Sequence, residues 1–223
     1  MKRKIKKICA VFVIIVLLPY IITIFMNGKS IEANQDGKNG YIKVKTESGT
    51  KEVPLKEYCI GTLAKEISVD FEEEALKAQA VIVRTTIYKK IEEQGEKAVM
   101  TERFFTKSDM KNQWGRSAFQ KNYKKLERVW NETDGQVVMY NGQLAMVPFH
   151  QLSNGKTRIG KEVLGTDEYP YLQMKECPKD VEADGQMESK LIKAAGAQIT
   201  SQDSAGYVTG VKVGEETLNG ETF

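Results

Sequence analysis

Nineteen residues near the start, "ICAVFVIIVLLPYIITIFM" at 8–26, are apolar apart from Thr23, with Pro19 and Tyr20 inside the run. As a helix they are long enough to cross the roughly 30 Å hydrocarbon layer of a bilayer. The seven residues ahead of them, "MKRKIKK", carry five basic side chains and no acid. Such a flank stays on the cytoplasmic side, so the remainder of the chain is expected outside. The alternative is a cleaved signal peptide. Its apolar segment is usually shorter, and "IFMNGKSIE" has no small-x-small site, so an uncleaved single-pass anchor in the cell membrane is the expectation.

The anchor also corrects the charge. The formal net charge is +3, but residues 27–223 hold 28 basic and 30 acidic side chains, a balance near −2. That excludes a polybasic nucleic-acid binder. Cys59 and Cys177 lie in the external part, where a disulfide is permitted, but two distant cysteines do not establish one and both are read as free. His150 is the sole histidine, and no CxxC or HxxxH spacing exists, so neither a metal site nor a cofactor is expected.

Residues 27–40, "NGKSIEANQDGKNG", read as a flexible linker. From 41 onward the patterns mix helical and strand periods, which predicts one α+β ectodomain of helices and short antiparallel strands. "YIKVKTESGTKEVPL" alternates around Ser-Gly and predicts a hairpin. Pro54 then opens a helix with Leu55, Tyr58, Ile60, Leu63 and Ile67 at helical spacing. Asp70 and Glu73 fit a capping box for a second helix that ends before Gly95. A third helix is expected within "RSAFQKNYKKLERVWNET". "GQVVMYNGQLAMVPFHQ" predicts a hairpin turning at Asn141-Gly142. "SNGKTRIGKEVLG" reads as a loop, "YLQMKECP" as a short strand, 186–196 as a helix and "YVTGVKVGEETLNGETF" as a final hairpin.

Among the charges of "EISVDFEEEALKAQAVIVRT", Glu72, Glu73 and Glu74 sit at a helix start, where the dipole alone accounts for them. Glu66 sits at the opposite end of its helix, beside apolar neighbours. Desolvation and the dipole both raise a carboxyl pKa there, as a general acid requires. A solvated surface charge is the other reading of Glu66. Surface charges and exposed pairs likewise account for Lys77, Gln79 and Arg84. Yet Lys77 and Arg84 share a helical face, and Arg84 interrupts an apolar run, so its burial and a polar or acidic partner are expected.

The stretch "VPLKEYCIGTLAKEISVDFEEEALKAQAVIVRT" resembles the signature of the stage II sporulation protein D family and the related amidase-enhancer domain: "PLEEYL.GV...EM" followed by "EALKAQAV.AR". "WNETDGQVVMYNGQLAMVPFHQLSNGKT" is similar to its "T.GQV..YNG......FHS.S.GKT" block, and "DEYPYLQMKECPKD" to "PYL..V.SP.D". The resemblance covers 41–223 in order. It implies a membrane-anchored lytic transglycosylase that cuts peptidoglycan glycan strands during forespore engulfment. Glu66 then matches the catalytic glutamate. Lys77, Gln79 and Arg84 match polar residues of the cleft, Ser153, Gly155 and Thr157 the "S.GKT" loop, and Tyr171 the "PYL" tyrosine, as substrate-binding positions. Implied partners are glycan strands, a cell-wall amidase similar to stage II sporulation protein P, and other engulfment membrane proteins. Some relatives carry cysteines and bind zinc. Residues 96–134 have neither Cys nor His, and no zinc is expected. The family pattern continues beyond Phe223 with a strand and "GHG.GMSQ.GA", so a cleft wall and a strand partner are expected to be missing here. That keeps open a fragment, a truncated product or a degenerate copy, and with the last a glycan-binding or amidase-stimulating protein without turnover.

Overall fold

A computed structural model describes residues 40–95, 98–183 and 196–222. The expected anchor, nearly all of the linker and almost all of the helix expected at 186–196 lie outside the described residues. Among the described residues no helix is long and apolar enough to cross a membrane. The expected α+β character holds, with short strands and helices throughout. By its contacts the chain divides into two compact units, 1–147 and 148–223.

The first unit begins with β1 (Tyr41–Thr46) and β2 (Gly49–Pro54), paired antiparallel from Tyr41↔Pro54 to Thr46↔Gly49. Alternation places Ile42 and Val44 on the buried face of β1. β3 (Val99–Met100) runs parallel on the other side of β1, giving the order β2-β1-β3. Pro54, with φ −55°, leads into α1 (Leu55–Glu66), and the Leu55 N–H donates to Gly40 O at 2.8 Å. α2 spans Glu73–Gln94 and stops at Gly95, whose φ of 59° only glycine adopts readily. The cap expected from Asp70 is not made. Glu72 occupies the N-cap without a side-chain bond, and the Asp70 N–H instead donates to Ser68 Oγ within the preceding turn.

α3 (Lys107–Glu132) starts well before the predicted segment. Thr106 and Asp109 form a reciprocal capping box, and Gly115, at φ 76°, interrupts the helix. The three helices and the sheet share one core, in which Tyr58, Ile60, Leu63, Leu76, Met100, Met110, Leu126 and Val129 are at most 1 % exposed. Each such leucine stabilises the fold by about 1.5–3 kcal/mol. β4 (Met139–Tyr140) and β5 (Gln143–Leu144) form the predicted hairpin, with Asn141 and Gly142 both at positive φ in its turn.

The second unit is more irregular. The expected loop contains a short helix, α4 (Gly160–Leu164), and a 3₁₀ turn occupies Pro178–Glu182. "YLQMKECP" is not a strand. Its one ladder contact is an isolated bridge between Lys156 and Glu176. The final hairpin is present as β7 (Val208–Val213) and β8 (Glu216–Asn219), but β6 (Ala197–Gln202) joins it in a three-stranded antiparallel sheet.

Candidate active site

Glu66 is the last residue of α1, followed by Ile67 in extended conformation. Its side chain is half-buried, and Gln79 of α2 donates from Nε2 to its Oε2 at 2.7 Å. Gln79 is 3 % exposed, on the α2 face that also buries Leu76, Ala80 and Val83. Burial pushes the Glu66 carboxyl above the ordinary carboxylate range. The Gln79 hydrogen bond and the Lys65 charge pull the other way without cancelling it. The turn after Glu66 is fixed from α3, where the Lys125 ammonium donates to the carbonyls of Val69 at 2.7 Å and Phe71 at 3.0 Å. The arrangement thus presents one carboxyl group that keeps its proton to higher pH than a solvated glutamate.

Lys77 and Arg84 make contacts within the protein. The Lys77 ammonium meets Glu74 at 2.9 Å, Glu132 at 3.1 Å and Glu73 at 3.7 Å, at the seam of α2 and α3. Arg84 is fully buried, and it has the polar partners its burial requires, carbonyls and the Thr133 hydroxyl among them. Its guanidinium donates to Thr133 O at 2.6 Å, Gln136 O at 3.2 Å and Trp130 O at 2.8 Å, and lies 4.0 Å from the centre of the Trp130 ring. It therefore caps the carbonyl end of α3, where a cation suits the helix dipole. Its Nε has no hydrogen-bond partner among the described residues. Cys59 and Cys177 are free. Burial pushes the Cys59 thiol up to about 12.

Ser153, Gly155, Thr157 and Tyr171 belong to the second unit, and there the loop bonds mainly to its own surroundings. Ser153 donates from both N–H and Oγ to Asp180 Oδ2, at 2.9 and 2.7 Å. Those bonds hold the Asp180 carboxyl below its ordinary pKa. Gly155 adopts φ 100°, and its carbonyl accepts from the Cys177 N–H at 2.7 Å. Thr157 Oγ1 accepts from the Lys175 N–H at 2.8 Å. Tyr207 Oη donates to Lys156 O at 3.1 Å and accepts from the Asn154 N–H at 3.0 Å.

Thr157 and Tyr171 also line a cavity of about 540 Å³ with Phe149, His150, Lys175 and Tyr207. That volume suits a small ligand. The sequence reading gave no role to Lys125, Asp180 or Tyr207. Asp180 was within reach, since it closes the "CPKD" match, whereas nothing local marks the other two. Among the described residues no cluster of three His, Cys, Asp or Glu side chains is placed to hold a metal ion.

Comparison with known proteins agrees with the motif order. Residues 43–140 match the SpoIID family, described as stage II sporulation protein. The chain is 29% identical over 191 residues to stage II sporulation protein D of Bacillus subtilis (strain 168), covering 77% of this chain and 55% of that protein. It is 29% identical over 189 residues to the protein of the same name from Bacillus amyloliquefaciens, covering 76% and 54%. The chain spans about half the length of the curated relatives it matches. The chain is thus similar to the SpoIID family of stage II sporulation proteins over residues 43–140, and to these two relatives over most of its length.

Proposed function

We propose that the protein is a membrane-anchored peptidoglycan lytic transglycosylase acting in sporulation, during engulfment of the forespore, with Glu66 as its general acid and base. The observation that carries this reading is the half-buried Glu66 carboxyl at the carbonyl end of α1, with its proton affinity raised by burial. The names of the two relatives support the sporulation setting, and the basic flank and apolar run of 1–26 support the anchor.

One carboxyl group suffices for this reaction. Ordinary glycosidases need a second carboxylate, either to activate water or to form a covalent intermediate. Here Glu66 donates its proton to the glycosidic oxygen as the bond to C1 of N-acetylmuramic acid breaks. The O6 hydroxyl of the same sugar closes onto C1, and its proton returns to Glu66. The glycan strand leaves with a 1,6-anhydro end, and the enzyme regains its starting protonation.

A second reading, a glycan-binding protein or amidase stimulator without turnover, draws on the second unit. Its cavity is lined by aromatic and basic side chains and by no carboxylate among the described residues.

The deciding experiment is Glu66→Gln on purified glycan strands, followed by release of anhydro-muropeptides. Glutamine keeps the shape but has no acidic proton, so release falls by about 10²–10⁴-fold while glycan binding survives. Glu73→Gln is the control, since it removes only exposed pairs to Arg128 and Lys77 and leaves turnover intact. Full activity in Glu66→Gln removes Glu66 from the chemistry. A parent chain that binds strands without cleaving them establishes the second reading.

A further inference from the structure

The motif match gives Gln79 to the substrate, but the structure gives its donor to Glu66. Gln79 is 3 % exposed, and its Nε2 lies 2.7 Å from Glu66 Oε2. A carboxylate only accepts, so the amide must turn its NH₂ end toward it. When Glu66 is ionised, the bond is of the charge-assisted kind.

We propose that Gln79 is a positioning residue acting through Glu66: its N–H holds Oε2, so that Oε1 is the oxygen that delivers the proton and takes it back. This rests on Glu66 being the acid and base of the proposed reaction.

The physical reason is symmetry. A free carboxyl group rotates broadly about its last torsion and carries its proton on either oxygen. In the proposed cycle one oxygen must face the glycosidic oxygen and then the O6 hydroxyl. A donor fixed on Oε2 breaks the equivalence, because a proton placed there would meet the amide hydrogens. It also favours the anion that exists between the two transfers, against a burial that disfavours it.

The other groups facing Glu66 do not supply this. Lys65 on α1 acts as a charge through space. Tyr58, also on α1, donates its hydroxyl to Glu102 O. Lys125 of α3 is committed to the Val69 and Phe71 carbonyls of the turn that follows Glu66, and not to the carboxyl group itself. The other α2 residues buried near Gln79 are apolar, namely Leu76, Ala80 and Val83.

Two variants of the full chain test the assignment. Gln79→Met keeps length and volume without a donor, and Gln79→Asn keeps the amide but withdraws it by one methylene. The Glu66 carboxyl carbon, labelled and identified by its loss in Glu66→Gln, is titrated by NMR without substrate. In both variants Glu66 titrates at higher pH than in the parent. On glycan strands kcat falls by about 10–100-fold, as expected for losing a hydrogen bond to a charged group. The basic limb of the rate profile moves to higher pH, and KM is unchanged.

An unmoved Glu66 titration in either folded variant overturns the proposal. So does a rise in KM with kcat and the pH profile intact, which would return Gln79 to the sugar. If Gln79→Met does not fold, Gln79→Asn carries both readings. If the parent fails to cleave, the transglycosylase reading falls, and the titration still decides whether Gln79 governs Glu66.

Discussion

Glu66 makes folding depend on pH in the direction opposite to an ordinary paired carboxylate. Burial raises its native pKa above the unfolded value, so the native state binds the proton more tightly. Its contribution is therefore favourable at low pH and is lost as pH rises through the ordinary carboxylate range, near 4.3, toward the raised native value. Glu66→Gln removes that titration and still lets Gln79 donate to a side-chain oxygen. The variant is expected to melt above the parent at pH 7, with the difference vanishing below about pH 4. Thermal melts at the two pH values check this, and an equal margin at both would mean that Glu66 is solvated in the native state. The position of Glu66 at the wrong end of its helix was readable from spacing alone. The partners of Arg84 were not. The apolar run around it announced burial, but its carbonyl acceptors lie 46–52 residues away in sequence, where only the packing of α2 on α3 brings them.

At the scale of elements, α1 is held against the loop before α3 by a close approach that only glycine permits. The Phe105 N–H donates to Gly61 O at 3.1 Å. A Cβ on Gly61 would lie 2.3 Å from Phe105 O and 2.6 Å from the Phe104 ring. In an open helix Gly→Ala gains up to about 1 kcal/mol. Here the added methyl meets backbone, and Gly61→Ala is expected to destabilise by about 1–3 kcal/mol, read as a lower urea midpoint at unchanged slope. A gain in stability would mean the loop yields freely. The bounds of α1 and α2 were legible because their apolar residues keep a helical period and Gly95 stops the second. The start of α3 was hidden by the absence of a clean period over 96–115, although "TKSD" carries the capping box that begins it. β6 escaped notice because all six of its residues are exposed, so no alternation marks it.

The two units of the whole molecule are stabilised by different means. The first has a continuous apolar core. In the second, Ala205 and Val211 are the only buried hydrophobic residues among those described. Polar bonds hold much of the rest, including Arg158 between Asp203 at 2.5 Å and Glu221 at 2.7 Å. Apolar burial is the dominant favourable term in folding, so the second unit is expected to open at lower denaturant than the first. The Trp130 ring beneath the Arg84 guanidinium makes the two events separable by light. Trp114 and Trp130, the two tryptophans of the chain, both lie in α3 of the first unit. Indole emission therefore reports directly on the first unit. A circular dichroism signal that begins to fall while emission stays at its native wavelength would record the second unit leaving first. Coincident transitions would show that the two melt as one.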